Sequence, residues 1–147
     1  MAIRDDQARL RPETYPHHFE QRALFADMDA FRHLNNGTAT RYFEEGRASL
    51  NAGVFGVAAL VDPPNGLQLL FATVVTDYLA QAHYPGTVTV CSGIAKVGRT
   101  SWTFAHAAFQ DGVCFALSES VVVKSHHGTP EPLSDGERAE MAKVMLR

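Results

Sequence analysis

Residues 25–52 read FADMDAFRHLNNGTATRYFEEGRASLNA, and the second half of that run carries the period of a helix. Ala39, Phe43, Gly46 and Leu50 recur at spacings of four, three and four, while Arg41, Glu44, Glu45 and Arg47 fall largely elsewhere. That pattern predicts an amphipathic helix from Gly37 to about Ala52 with one buried stripe. Asn35 or Asn36 can cap its first N–H groups, and Gly53 followed by Gly56 supplies stop signals. The first half, Ala26 to Asn36, reads as a loop rich in Asp and Asn. Outward from it, His18 to Phe25 can form a strand ahead of the loop, and Pro63-Pro64-Asn65-Gly66 marks a turn behind the helix.

Four β-type runs follow: Leu69 to Ala80, Thr87 to Val97, Ser101 to Gln110 and Val113 to Lys124. Their separators are short, with Pro85-Gly86, Gly98-Arg99-Thr100 and the strong hairpin signal Asp111-Gly112, so the runs are expected to form an antiparallel meander. After Gly128-Thr129-Pro130, Ser134 to Leu146 reads as a terminal helix, with Ser134 and Glu137 in capping-box spacing. One strand, one long helix and a run of long strands make an α+β arrangement in which the sheet can curl around the helix. Such a sheet has open edges, which a second copy can cover. Residues 1–16 hold Pro12, Pro16 and several charges with little apolar periodicity, and are expected to form an N-terminal arm ahead of one domain spanning 17–147.

The composition excludes several classes of function. At 147 residues, with 46% hydrophobic and 20% charged residues, the chain fits one ordinary globular domain. A net charge of -3 with scattered basic residues gives no footprint for nucleic acid. No signal-peptide core and no membrane-length apolar run is visible, so a cytoplasmic location is expected. Cys91 and Cys114 fall in strand-like segments without metal-ligand spacing and are expected to be reduced thiols. The His17-His18 and His126-His127 pairs point to opposite faces of a strand, so no metal site is expected.

The chemistry concentrates in Asp27, Asp29, His33, Asn35 and Asn36, immediately before the helix. A helix start presents unpaired N–H groups and a partial positive charge, which can polarise a carbonyl and stabilise an oxyanion. A carboxylate beside it can activate water or attack directly. On local composition alone, the same residues also make an ordinary capping turn. Glu44 and Glu45 fit a solvated helix face.

The order Asp27-x-Asp29, His33-x-Asn35-Asn36, Tyr42-Phe43-Glu44 and Arg47 resembles the 4-hydroxybenzoyl-CoA thioesterase-like branch of the hotdog-fold acyl-CoA thioesterases. Tyr78 before Pro85-Gly86, Gly98-Arg99-Thr100-Ser101 at a hairpin, and Gly128 to Leu133 before the last helix extend the likeness. The resemblance implies a hotdog fold and hydrolysis of an acyl-CoA, with a homodimer or homotetramer as the assembly; an acyl-carrier-protein thioester is the alternative substrate. It implies no cofactor beyond the CoA of the substrate. It makes Asp29 the catalytic carboxylate, puts the polarising amide at Asn36 with Gly37 beside it, and gives His33 an orienting role. Asp27 becomes a structural partner of the turn. Arg99 stands where some members place cations against the CoA phosphates, with Ser101 in the same hairpin. Arg32 replaces a usual Gly and Ala39 a usual aromatic, so loop shape and acyl pocket are the expected points of departure. Two rivals are a hotdog enoyl-thioester hydratase or dehydratase and a non-catalytic acyl-CoA binding module. The hydratase branch puts four residues between its Asp and His, whereas three separate Asp29 from His33.

Overall fold

The structure, a computed structural model, describes residues 2–147; Met1, the first residue of the expected arm, lies outside the described residues. In chain order the elements are strand β1 (His17–Arg22), helix α1 (Asn36–Phe55), a single helical turn α2 (Ala58–Val61), strands β2 (Leu67–Tyr78), β3 (Thr87–Val97), β4 (Ser101–Gln110) and β5 (Val113–His126), a short β6 (Thr129–Pro130), and helix α3 (Asp135–Ala142). The sheet is antiparallel throughout, in the order β1-β3-β4-β5-β2 with β6 on β5. It curves around α1, which makes the molecule an α+β hotdog fold. Among the described residues, no helix is long and apolar enough to cross a membrane.

Asn35 is the N-cap of α1, because its side-chain oxygen accepts the Gly37 N–H at 2.8 Å. The helix runs past Gly53 and stops at Gly56, whose φ of +83° suits a residue without a Cβ. The expected stripe of Ala39, Phe43, Gly46 and Leu50 is buried against β3 and β4. Gly46 marks the closest approach: a Cβ built there would lie 2.2 Å from Ser92 Oγ. Arg47, read from sequence as part of the polar face, is only 5% exposed. Its guanidinium lies 4.7 Å above the Phe71 ring, a placement that buries the stem and keeps the charge on an aromatic face.

Three further expectations are corrected. The first strand ends at Arg22, since the Leu24 N–H bonds to Asp27 Oδ2 and folds Phe25–Asp27 into a 3₁₀ turn. The meander holds only for β3, β4 and β5. Strand β2 pairs with β5 at the far edge because the chain after Tyr78 crosses beneath the loop, where Ala82 O accepts the Leu34 N–H at 2.8 Å. Helix α3 keeps its Ser134 and Glu137 capping box but stops at Ala142, and the chain then turns to bond Ile94 through Val144 O and Leu146 N.

On the outer face of the sheet, residues 2–16 make three 3₁₀ turns, Ile3–Asp5, Gln7–Leu10 and Pro12–Thr14. Tyr15 closes this layer at 1% exposure, against Cys91, Ala105, Ala107, Phe109 and Leu117. Both thiols are free, and burial pushes Cys91 up to about 12 and Cys114 to about 11.

Candidate active site

Asp27 anchors the loop ahead of α1. Its carboxylate accepts from the Leu24 N–H at 3.0 Å, from Arg41 Nη2 at 2.6 Å and from the Tyr42 hydroxyl at 3.4 Å. Its carbonyl accepts from the Asn35 N–H at 2.8 Å and from Thr38 Oγ1 at 3.4 Å, tying the loop to the first turn of the helix. Burial works to raise the Asp27 pKa, but the Leu24 amide, Arg41 and Tyr42 together hold it below the ordinary carboxylate value. The same burial, with Asp27 adding to it, pushes the Tyr42 hydroxyl up to about 12 and keeps it a donor.

Asp29 sits in a tight turn built on its own main chain. Its N–H donates to His33 O at 2.9 Å, and its carbonyl accepts from the Arg32 N–H at 3.1 Å. Oδ1 accepts from the Phe31 N–H at 2.9 Å and, at 3.5 Å, from that of His33. Oδ2 has no hydrogen-bond partner among the described residues. Arg32, at φ +65°, adopts the left-handed backbone for which glycine is the easy choice, so the turn keeps its shape with an arginine in place.

A cavity of about 100 Å³ opens beside this turn. Its lining is mixed, with Asp29, His33, Asn36, Thr38 and Gln81 among the polar residues and Ala39 and Phe115 among the apolar ones. In the first turn of α1, Gly37 donates to Asn35 Oδ1 and Thr38 to Asn35 O, both at 2.8 Å. The Asn36 N–H has no acceptor among the described residues, so it is the amide the helix leaves for a ligand. Tyr78 helps hold it in place by donating its hydroxyl to Asn36 O at 3.0 Å. The imidazole of His33 stands edge-on to that of His83, with ring centroids 5.4 Å apart.

Asp29, His33 and Asn36 are therefore brought together, with Gly37 adjacent but engaged in the cap. Arg99 and Ser101 are not. The loop adjoins the Thr87 end of β3, where the Ala23 N–H donates to Gly86 O, whereas Arg99 and Ser101 lie beyond Val97 at the other end. At about 3.3 Å per residue, that separates them from Asp29 by roughly 30 Å within one chain. The Arg99 carbonyl accepts from Leu133 and Arg138, and the Ser101 carbonyl from Gly98.

Tyr78, Ala82 and Phe115 line the cavity from β2, the crossing segment and β5. Of these, only Tyr78 stands out in the sequence, as a landmark without a role. A second polar pair, Ser92 Oγ and His106 Nδ1 at 2.8 Å, lies sealed under α1 between the rings of Phe43 and Phe104. Burial holds His106 well below its ordinary pKa, so it is neutral near pH 7. Both residues have zero exposure, so the pair is out of a substrate's reach.

The sequence profile of the Thioesterase-like superfamily matches residues 23–146. No curated protein sequence matches the chain significantly. Among solved structures, the chain is similar to a predicted thioesterase from Bacillus stearothermophilus at 26% identity and a TM-score of 0.80, over 88% of this chain and 96% of that one. It is similar to a thioesterase from Thermus thermophilus complexed with coenzyme A and zinc, at 23% identity and a TM-score of 0.77, over 88% and 93% of the two chains. A 1,4-dihydroxy-2-naphthoyl-CoA thioesterase from Synechocystis shares the fold at 14% identity and a TM-score of 0.75, over 85% and 94%.

Proposed function

This chain belongs to the thioesterase-like superfamily, and from that premise we propose that it hydrolyses the thioester of an acyl-CoA to the free acid and CoA thiol. The observation that carries the reading is that Asp29, whose Oδ2 has no partner among the described residues, and Asn36, whose N–H has none, line the same cavity. The thioester carbonyl oxygen takes the Asn36 N–H, at the positive end of the α1 dipole. Oδ2 then either removes a proton from the attacking water or attacks the carbonyl carbon itself. In the first route the tetrahedral intermediate collapses, the C–S bond breaks and the proton passes to the departing thiolate. In the second the thiolate leaves an acyl-aspartyl anhydride, which water cleaves to the acid and free Asp29. The Phe31 N–H holds Oδ1 at 2.9 Å, with the His33 N–H beside it at 3.5 Å, and together they orient the carboxylate. The order of Asp27, Asp29, His33, Asn35 and Asn36 supports placement near the 4-hydroxybenzoyl-CoA thioesterase-like branch.

The direct test follows free thiol while the protein is incubated with a panel of saturated acyl-CoAs. Catalytic thiol release is expected. Binding without thiol release would favour the binding-module reading, and loss of enoyl absorbance without thiol would favour a hydratase. The amide of Asn36 supplies the electrophilic assistance a metal would give, so a chelator should leave the rate unchanged. Reproducible loss of activity restored by one metal would overturn that step.

The assembly follows from β2. It is an edge strand of 12 residues with Phe71, Val74 and Val75 each at least half exposed, a surface suited to pairing with another strand. We propose a homodimer in which the two β2 strands pair antiparallel about a twofold axis. This sets the Leu67 end of one copy beside the Tyr78 end of the other, and it is the route by which Arg99 of the partner subunit approaches a cavity that Arg99 cannot reach within its own chain. Light scattering should give at least a dimer, and Val75→Lys should shift it toward monomer with loss of activity. A fully active monomer would refute the shared site.

A further inference from the structure

Asp29 lines two spaces. One is the small cavity beside Asn36; the other is an open groove of about 490 Å³ lined by Phe25, Met28, Asp29, Arg32 and Tyr84. A thioester bound at Asp29 has two arms to place. The small cavity is the more enclosed and takes the carbonyl with the acyl group attached to it, which leaves the open groove to the thiol carrier, whose nucleotide or protein end must reach solvent. Resting on the hydrolase reading above, we propose that Arg32 is the specificity residue of this groove and binds the phosphate at the far end of the carrier's pantetheine arm, a group that CoA shares with acyl carrier protein.

The charge of Arg32 is exposed and uncommitted. Its guanidinium has no hydrogen bond or ion pair among the described residues; the same holds for Arg11, Arg22, Arg99 and Arg147, but of these Arg32 is the one that lines the groove. A guanidinium matches a phosphate in charge and in donor geometry. The backbone is an independent observation. At φ +65° a glycine would be relaxed and an arginine is strained, and strain retained beside a reacting carboxylate points to a use for the side chain. The walls suit the rest of the arm: the rings of Phe25 and Tyr84 meet edge to face at 5.6 Å and present apolar surface for the pantetheine stem. Asp29 is the only acidic residue in the lining, and among the described residues the Arg32 guanidinium makes no ion pair with it.

The test compares thiol release from acyl thioesters of pantetheine, phosphopantetheine, CoA and acyl carrier protein, using wild type, Arg32→Lys and Arg32→Gly. Wild type should prefer the phosphorylated carriers in kcat/KM by about tenfold, the scale of one exposed charge-assisted contact. That ratio should collapse in Arg32→Gly through KM, and Arg32→Lys should keep part of it. The melting temperature of Arg32→Gly should equal or exceed that of wild type, because glycine relaxes the turn. An unchanged ratio, a lowered melting temperature, or a loss confined to the carrier-protein substrate would overturn the phosphate contact while leaving the hydrolase reading standing. If wild type cleaved none of the four, the hydrolase reading would fail. Titration of the same proteins with free CoA and with pantetheine would then decide the contact alone: weaker CoA binding by Arg32→Gly supports it, and equal binding overturns it.

Discussion

Asp29→Asn is expected to remove at least ~10²-fold of thioester hydrolysis while leaving the fold and CoA affinity close to wild type. The amide keeps the shape of the carboxylate, and its oxygen can still accept the Phe31 and His33 N–H groups that hold Oδ1. What it loses is the carboxylate oxygen that has no partner among the described residues, since an amide nitrogen neither attacks a carbonyl nor takes a proton from water. The loss exceeds this figure if Asp29 is the nucleophile, because no alternative base then restores the route. Asp27→Asn is the matched control. Its carboxylate is 5% exposed and bound to Arg41, Leu24 and Tyr42, so its removal should lower the melting temperature more than the turnover. Wild-type turnover by Asp29→Asn on an established substrate would end the mechanism, and unfolding of that variant would mark Asp29 as a turn residue.

Gly46→Val is expected to destabilise the protein by about 3 kcal/mol or more, at the upper end of overpacking in a closed core. The added Cβ would lie 2.2 Å from Ser92 Oγ, 3.2 Å from Ser92 Cβ and 3.3 Å from His106 Nδ1. Ser92 and His106 are fully buried and bonded to each other at 2.8 Å, so neither can swing into solvent. Either the pair breaks and leaves buried polar groups unbonded, or α1 lifts from the sheet and moves Asn36 with it. Chemical denaturation of wild type, Gly46→Ala and Gly46→Val should show a graded loss, with the gain of ~1 kcal/mol in helix propensity offsetting part of the alanine penalty. Wild-type stability in Gly46→Val would contradict this close approach of helix and sheet.

The strands β3 and β4 lie where their residue pattern puts them, because glycine-bearing turns delimit both and local chemistry suffices to bound them. Strand β2 was legible as a strand but not as an edge. Nothing within Leu69 to Ala80 states which neighbour it takes, and the decision lies in the crossing after Tyr78. Arg47 and Tyr15 show the same limit: a charged residue on a helix and an aromatic within a polar arm look exposed until the Phe71 ring and the outer face of the sheet are brought to them. The candidate site divides in the same way. Asp29, His33 and Asn36 fall within one turn and helix start, so their meeting could be read locally. Tyr78, Ala82 and Phe115 reach the cavity through long-range pairing that no short window contains. Arg32 was visible as a departure from a family pattern, but its left-handed backbone and its groove were not.

The most direct measurement of the central claim is a crystal structure with a non-hydrolysable acyl-CoA analogue. The analogue's carbonyl oxygen is expected within hydrogen-bond distance of the Asn36 N–H, with the Asp29 Oδ2 facing the carbonyl carbon directly or through one water and the acyl group against Ala39 and Phe115. A carbonyl seated elsewhere, for instance in the groove between β1 and α1 lined by His17, Gln21 and Glu45, with Asp29 still turned into its own loop, would contradict it.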